Sequence, residues 1–563
     1  MMRHFIGKLT FVLGCAACTA LPARAQTTNH NFEVMKHLDI FNQLYRELDL
    51  FYVDTLSAKK NIGNAINYML EMIDPYTEYY AAENTNDLKQ MTTGKYAGIG
   101  SVISYRDELK RCIIEKPYEG NPAADAGLLP GDIILAIDGK DIPTCDSKDL
   151  EKRAEYSNSV STGVRGEPGT TLELKVRRPT NNRTYTFKVT RRSILIPSVA
   201  LATVLSDSIG YIKITQFIEG TSNEVRRAMV DLKQQGARSL ILDLRNNPGG
   251  VLEEAVKTVN LFIPRGREVV NMKGKVKEAN QTYKTVLDPQ DPDIPLIVLT
   301  NEQSASSSEI TAGALQDYDR ALIVGRRTYG KGLVQQSREL AYKGALKLTV
   351  GKYYIPSGRC VQAYEFRDGM PVHRPDSLSR EFRTANGRIV RDGGGIKPDV
   401  EIKSDSLPNL LVYMDASTQL FDFCVNYCAK HPKIAQPEDF SISDDEYADF
   451  CEFMKKHKFT YDRQSLRVLE TLKTFARFEG YDTEARAEIE ALEKKLKHNE
   501  DYDFKRWKPE IKKVLEAAIV ERYYFDAGRY RYLLRTDKEV QQAVKLMRNT
   551  KAMLKTLSGE PEA

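Results

Sequence analysis

Two short stretches place small, reactive residues where an apolar run ends. In Thr300–Ile310, a predicted strand gives way to a serine-rich helix start, so a hydroxyl lies near backbone N–H groups that favour developing negative charge. In Leu244–Gly250, two glycines follow a proline, and such a backbone can bend sharply and direct N–H groups at one spot. Together they suggest a serine nucleophile beside an oxyanion site, although a helix cap and a plain turn explain either stretch more simply when it is taken alone.

A serine nucleophile needs a base, and histidine is poorly placed to be one. Only one of the seven histidines, His373, lies between residues 193 and 403, and it sits in an insertion away from any predicted strand end. A Ser-His-Asp triad is therefore disfavoured. Lys331, between two glycines, can serve instead if desolvation lowers its pKa from the ordinary value of about 10.4. Gln335 follows four residues later with an amide that can orient the amine.

The lysine stretch also supports a different hypothesis, a P-loop nucleotide hydrolase. Gly325–Lys331 matches the first seven positions of the phosphate-binding loop. The eighth position, where serine or threonine would hold magnesium, is Gly332, and Leu333–Leu340 has the pattern of a strand where the motif requires a helix. These two departures make the nucleotide hydrolase the weaker alternative.

The elements that must position these residues change character along the chain. Spacing of apolar residues predicts helices in residues 26–93, and short β-rich runs between glycine and proline turns occupy 94–192. In 193–403, apolar runs at 240–244, 295–300 and 321–324 alternate with helical patterns, which is typical of an α/β sheet covered on both faces. Residues 404–563 are helical again, with capping boxes predicted at Ser443/Glu446 and Thr536/Glu539.

The first 25 residues have the pattern of a secretory signal peptide. Arg3 and Lys8 precede the apolar stretch Leu9–Leu21, which ends in the small-x-small sequence Ala23–Ala25. A loose lipoprotein box ending at Cys15 is the alternative, in which a lipid would anchor the protein. Either predicts an exported protein, periplasmic or associated with the cell envelope.

Length, composition and charge exclude several classes of protein. A chain of 563 residues is too long for one ordinary core, and 41% hydrophobic with 28% charged residues is a globular composition. The 82 basic and 77 acidic residues leave no large surplus of positive charge to bind nucleic acid. After residue 25 no apolar run approaches the roughly 20 residues of a membrane span, so a lipid at Cys15 is the one predicted membrane contact.

Taken in order, the motifs resemble the C-terminal processing peptidases, also called tail-specific proteases, from residue 60 to 403. Each motif is weak alone, but so many ordered matches are very unlikely to arise by chance. The matching stretches are Leu70–Thr77, Gly98–Gly100, Asn121–Asp132, Arg165–Thr170, Asp243–Gly250, Ser304–Glu309, Gly330–Gly332, Tyr354–Arg359 and Gly395–Asp399.

The resemblance implies a multidomain α+β fold. After the signal peptide (1–25) we expect an N-terminal helical domain (26–93), a PDZ-like β-rich domain (94–192), an α/β, crotonase-like serine-lysine peptidase core (193–403) and a C-terminal helical extension (404–563). The extension falls outside the resemblance. It would dock an adaptor protein, mediate homo-oligomerisation or cover the core, and ordinary packing is the simplest of these readings.

The resemblance also assigns roles to single residues. It implies Ser306 as nucleophile, Lys331 as general base and Gln335 as the residue that orients the lysine. The backbone oxyanion donors would be Ser307, which replaces the commoner alanine, and either Gly249 or Gly250. No metal, nucleotide or organic cofactor is implied.

The implied activity is endopeptidase cleavage near the C-termini of unfolded or exposed protein tails. The loop Gly98, Ile99 and Gly100 would bind the terminal carboxylate of a protein or peptide substrate, with Ile99 lining the pocket for the last side chain. A catalytically silent PDZ scaffold is the alternative, and the joint presence of the serine, lysine and glutamine argues against it.

Overall fold

The computed structural model describes residues 22–403, 408–496 and 500–559, in two compact units that divide between Tyr79 and Tyr80. Most of the predicted signal peptide, including Cys15, lies outside the described residues. Within the described ranges, none of the helices combines the length and the apolar character that a bilayer-spanning helix needs.

The first unit is helical, as the apolar spacing predicted. Its second helix begins at the N-cap Ser57, whose hydroxyl accepts a hydrogen bond from the Lys60 N–H at 3.3 Å. After that helix, the Asp74 carboxylate accepts the Tyr76 and Thr77 N–H groups, both at 2.8 Å, and turns the chain. The elements are α1 (Pro22–Phe51), α2 (Ala58–Glu71) and the boundary strand β1 (Glu78–Tyr80).

The second unit begins with the β-rich domain. Its main antiparallel sheet has the order β3-β4-β5-β7-β8, with β6 beside β5, and a separate pair, β2 and β9, joins the beginning and the end of the domain. The elements are α3 (Thr85–Thr93), β2 (Lys95–Gly98), β3 (Ser101–Arg106), β4 (Arg111–Pro117), α4 (Pro122–Asp125), β5 (Ile133–Ile137), β6 (Lys140–Asp141), α5 (Leu150–Val164), β7 (Thr171–Arg178), β8 (Arg183–Thr190) and β9 (Arg192–Leu195).

The next segment is the predicted α/β domain. A six-stranded sheet has the order β10-β11-β12-β15-β16-β23, parallel except for β10, and a second, antiparallel sheet contains β17-β18-β13-β14. The elements are β10 (Val199–Val204), β11 (Ile209–Ile214), α6 (Thr221–Gln234), β12 (Ser239–Asp243), α7 (Leu252–Val259), β13 (Glu268–Gly274), β14 (Gln281–Lys284), β15 (Leu296–Thr300), α8 (Ser307–Asp317), β16 (Leu322–Gly325), β17 (Leu333–Glu339), β18 (Ala345–Tyr354), β19 (Tyr364–Arg367), β20 (Met370–His373), β21 (Glu381–Arg383), β22 (Ile389–Arg391) and β23 (Val400–Glu401).

The C-terminal segment is helical, and five of its first seven helices share a core that includes Phe450, Leu515 and Ile519. These helices also contact the β-rich domain: the Phe421 ring lies between the guanidinium groups of Arg106 and Arg522, 4.4 and 4.7 Å from its centroid. The helices are α9 (Asn409–Asp415), α10 (Thr418–Lys430), α11 (Asp444–Lys456), α12 (Gln464–Glu479), α13 (Arg486–Leu496), α14 (Glu500–Arg506), α15 (Lys508–Leu534), α16 (Lys538–Arg548) and α17 (Thr550–Ser558).

Of the two predicted capping boxes, one is confirmed and one is wrong. Ser443 and Glu446 form a reciprocal capping box at the start of α11. At α16 the N-cap is Asp537, not Thr536, and its carboxylate accepts the N–H groups of Glu539 and Val540 at 3.0 Å. The Glu539 side chain binds arginines of the α/β domain instead, so a tertiary ion pair has overridden the local pattern.

The last two helices belong to the α/β sheet rather than to the helical core. Leu240 and Leu242 of β12 pack with α6, α7 and α8 on one face of the sheet, whereas Ile241 points to the other. That second face is covered by buried residues of α16 and α17, among them Val540 and Met547. The central strands are therefore buried on both faces, as their unbroken apolar runs predicted.

This packing predicts that two side-chain truncations lower the free energy of unfolding by different amounts. Met547 is 3% exposed beneath the sheet, so Met547→Ala should lower the free energy of unfolding of this domain by about 2–4 kcal/mol, since it leaves a cavity. Leu554 on α17 is 55% exposed, and Leu554→Ala is the control, expected to cost less than about 0.5 kcal/mol. Urea unfolding followed by circular dichroism measures both. Equal midpoints would contradict the assignment of α16 to the sheet.

Candidate active site

Ser306 lies where β15 turns into α8. It is the N-cap residue of α8 and has φ 53° and ψ −114°, a backbone conformation that residues other than glycine rarely adopt. All of α8 behind it is buried, while Ser306 itself is partly exposed. The turn therefore holds one serine at the surface of an otherwise buried element.

The side chain of Glu309, in the first turn of α8, joins this serine to the lysine loop, the segment 326–332 that carries Lys331. It is fully buried, and its Oε2 accepts the backbone N–H of Ser306 at 2.9 Å and that of Lys331 at 2.8 Å. Its Oε1 accepts the Gly330 N–H at 2.7 Å and the Thr328 hydroxyl at 2.6 Å. One carboxylate oxygen thus holds the main chains of Ser306 and Lys331 within two hydrogen bonds of each other.

The electrostatics of Glu309 reflect this arrangement. Burial raises the pKa of the Glu309 carboxyl above its ordinary value, because a charged group loses its hydration there. The hydrogen bonds from Thr328, Lys331, Gly330 and Ser306 act in the opposite direction, because they stabilise the ionised form. Three backbone donors and one hydroxyl take the place of water around this carboxylate.

Tyr353 of β18 holds the same two residues from their carbonyl side. Its hydroxyl donates to the Lys331 carbonyl oxygen at 2.7 Å and lies 3.3 Å from the Ser306 carbonyl oxygen. Burial, followed by the charge of nearby Glu309, raises the pKa of Tyr353 well above its ordinary value, so the hydroxyl keeps its proton. The backbones of Ser306 and Lys331 are therefore fixed by side chains on two sides.

The glycine turn (246–250) packs directly against the serine turn (301–306). The Asn247 carbonyl oxygen accepts the Ala305 N–H at 3.0 Å and the Ser308 hydroxyl at 2.9 Å, and the Ser307 hydroxyl donates to the Gly250 carbonyl oxygen at 3.0 Å. Ser307 therefore contributes a side-chain contact that an alanine at this position could not make.

Both glycines are required by space as well as by backbone conformation. A Cβ on Gly249, which has φ +98°, would lie 2.9 Å from the Ser307 nitrogen, and one on Gly250, with φ +140°, would lie 1.9 Å from the Phe217 carbonyl oxygen. The Gly249 N–H donates to Asn247 Oδ1 at 2.9 Å. The predicted oxyanion donors are thus adjacent, and one of the two alternative glycine N–H groups already has an acceptor.

Gln335 lies on β17, opposite Thr349 of β18. Its Nε2 donates to Thr349 Oγ1 at 3.2 Å.

The residues after Gly332 form the strand β17, so the helix that a P-loop requires is not formed there. Within the described ranges, no cluster of three or more His, Cys, Asp or Glu side chains is arranged to hold a metal ion.

The predicted tail-binding loop connects β2 to β3 in the β-rich domain. Gly98 pairs with Arg192, the Ile99 side chain is buried in the core of that domain, and Gly100 has φ +71°. The loop is held by its carbonyl groups, since Ile99 accepts the Ala123 N–H at 2.7 Å and Gly100 accepts that of Tyr118 at 2.9 Å. β3 is an edge strand of the main sheet, beside α5.

Sequence reasoning proposed the serine, the lysine and the glycine turn as site residues but assigned no role to the residues that hold them in place. Glu309 was recognised only as part of a motif, although its position three residues after Ser306 is the spacing of a capping box. The contacts of Tyr353 with Lys331 and of Asn247 with Ser308 carry no local signal, because the partners are distant in the chain.

Three family models match this chain in sequence. That of peptidase family S41 matches residues 208–371, that of the PDZ domain matches 113–178, and one described as the C-terminal helical domain of a probable PDZ-protease matches 410–547.

Curated relatives are similar over most of their length. The carboxy-terminal-processing protease of Bartonella bacilliformis is 33% identical over 371 residues, which cover 65% of this chain and 82% of that protein. A probable CtpA-like serine protease of Staphylococcus epidermidis is 34% identical over 399 residues, 70% of this chain and 77% of that protein. Among solved structures, the photosystem II D1 C-terminal processing protease is 27% identical, with a TM-score of 0.34, over 65% of this chain and 87% of that one.

The four hydrogen bonds of Glu309 predict that its charge cannot be replaced by an amide of the same shape. In Glu309→Gln, the amide NH₂ would face a backbone N–H, and we expect a loss of about 2–3 kcal/mol in the free energy of unfolding because buried donors lose their acceptor. Glu253→Gln, at an exposed position of α7, is the matched control and should change less than about 0.5 kcal/mol. Urea unfolding measures both, and a Glu309 variant as stable as its control would refute this role.

Proposed function

Because the chain belongs to peptidase family S41 and is a serine-type carboxy-terminal-processing peptidase, we propose that it uses Ser306 as nucleophile and Lys331 as general base. The observation that carries this proposal is the shared acceptor: the N–H groups of both residues donate to Oε2 of Glu309. The serine also has the strained backbone conformation found at functional sites.

In the proposed mechanism, the neutral Lys331 amine accepts the proton of the Ser306 hydroxyl as its oxygen attacks the scissile carbonyl. The resulting ammonium then donates that proton to the leaving amine, and an acyl-enzyme ester remains on Ser306. Water, deprotonated by the same amine, hydrolyses the ester and regenerates the serine. A lysine can perform both transfers only if it is held in a position where losing its proton is not too costly.

The negative charge on the carbonyl oxygen needs fixed donors. We assign one to the Ser307 N–H, at the start of α8, and the second to the Gly250 N–H, since the Gly249 N–H donates to Asn247. Gln335 orients the lysine amine in this proposal, from the strand that follows the lysine loop.

Substrate capture is proposed for the PDZ domain. An extended C-terminal tail would add as a strand to the open edge of β3, beneath α5, and its carboxylate would bind at Gly98–Gly100. The positive φ of Gly100 supports a sharp loop of this kind. The substrates are therefore proteins or peptides with free C-termini.

The protein is proposed to act outside the cytoplasm. Arg3, Lys8 and the apolar stretch Leu9–Leu21 support export to the periplasm or cell envelope, with or without a lipid on Cys15. An adaptor protein and homo-oligomerisation remain predictions for the C-terminal helices.

Replacement of the nucleophile tests the proposal directly. Incubated with an unfolded protein, the wild type should cleave it near the C-terminus in EDTA and without ATP, and Ser306→Ala should lower the rate about 10³-fold or more because the attacking oxygen is lost. Mass spectrometry of the products measures this. Tail binding without any hydrolysis by the wild type would identify a silent scaffold, and a requirement for magnesium and ATP would favour a nucleotide hydrolase.

Replacement of the base tests the lysine. Lys331→Arg keeps a long basic side chain, but a guanidinium stays protonated and cannot accept the serine proton, so we expect loss of cleavage with retained folding. Initial rates on the same substrate measure the effect, and circular dichroism controls for folding. Wild-type turnover by this variant would remove Lys331 from the mechanism.

A further inference from the structure

The C-terminal segment provides two carboxylates beside the predicted active site. Asp537 and Glu539, at the start of α16, lie over the carboxyl ends of β12 and β16. Parallel strands end at one edge of their sheet, so these ends flank the end of β15, which leads to Ser306.

Arg245 is the first partner of this pair. It directly precedes the glycine turn, and its side chain is 13% exposed. Its guanidinium contacts Glu539 Oε2 at 2.5 Å and Asp537 at 2.9 Å, and its Nε donates to Asp243 Oδ1 at 3.0 Å. A guanidinium this buried needs such partners, because an unpaired charge in the interior is very costly.

Arg326 is the second partner, and it begins the loop that carries Lys331. Its guanidinium donates to Glu539 Oε1 and, at 2.7 Å, to Glu302 Oε1. Its main chain is tied to Thr300 at the end of β15 by reciprocal hydrogen bonds of 2.9 Å. The two oxygens of Glu539 thus bind one arginine directly before the glycine turn and one in the lysine loop.

Below this contact, Arg245 is fixed by a buried network. Asp243 accepts hydrogen bonds from Tyr211 at 2.6 Å and Lys213 at 3.1 Å, and Lys213 also donates to the Arg245 carbonyl oxygen. Burial alone would raise the pKa of Asp243, but Arg245 and Lys213 hold it well below its ordinary value, so the carboxylate stays ionised. The glycine turn therefore begins at a residue, Arg245, whose position is fixed by buried contacts.

We propose that Glu539, supported by Asp537, is a positioning residue for the reaction: it holds the glycine turn and the lysine loop at the separation that catalysis requires. The inference rests on the proposed function, since it needs Lys331 to act as base beside Ser306. It also gives the C-terminal segment a role in catalysis, where sequence analysis favoured ordinary packing.

The test compares two variants at one position. Glu539→Gln removes the charge that binds both arginines, and Glu539→Asp keeps the charge on a side chain too short to span them. Lys545→Gln removes a charge from an exposed position of the same helix and is the control. Steady-state kinetics on an unstructured peptide substrate, with pH–rate profiles and circular dichroism, are measured for each full-length protein.

For Glu539→Gln, kcat should fall about tenfold or more while KM stays within about twofold, because misplaced catalytic groups slow the chemical step without weakening substrate binding. The rising limb of the pH–rate profile should also shift, since Lys331 would sit in a changed environment. Glu539→Asp should show a smaller fall in kcat, and the control should match the wild type.

Wild-type kcat and pH profile in a folded Glu539→Gln protein would overturn the inference, as would a rise in KM alone. If Glu539→Gln does not fold, Glu539→Asp is the test, and a wild-type kcat and pH–rate profile in that variant would overturn the inference. The proposed function is tested separately: a Ser306→Ala protein that still cleaves would overturn the proposed function itself.

Discussion

The buried carboxylate of Glu309 is the interaction on which the rest of the site depends. A carboxylate removed from water must be surrounded by donors, and here the donors are the main chains of Ser306, Gly330 and Lys331 with the Thr328 hydroxyl. Satisfying this one group therefore forces the serine turn and the lysine loop together. The same contact explains why Ser306 can keep a strained backbone conformation, since its N–H is held from one side and its carbonyl lies near Tyr353 on the other.

The parallel sheet supplies the frame around that contact. Strands β12, β15 and β16 end side by side, and each is followed by one segment of the candidate site: the glycine turn, the serine turn and the lysine loop. The sheet needs cover on both faces, and α16 and α17 cover the second. The C-terminal segment is thus part of the catalytic domain in its packing as well as in the ion pairs of Glu539.

The helical segment also reaches the PDZ domain. Lys116 of β4 lies 2.6 Å from Glu521 of α15, and Phe421 of α10 is held between two arginines. α15 contains a break at Phe525, with φ 54°, close to that contact. The stretch between Glu521 and Glu539 therefore contacts both the domain proposed to bind substrate tails and the two arginines beside the candidate active site.

Local patterns in the sequence determined the types of the main elements, a sharp turn at Gly249 and Gly250, and the candidates Ser306 and Lys331. These features depend on near neighbours: the apolar residues of β12 follow one another without a break, and two glycines after a proline let the backbone bend. Only the tertiary structure decided that Glu309 joins serine to lysine, that Tyr353 supports both, and that Glu539 binds two arginines instead of capping its own helix. The reason is physical: a hydrogen bond or ion pair between residues far apart in the chain forms only where the topology brings their strands to one edge, and no local periodicity records that meeting.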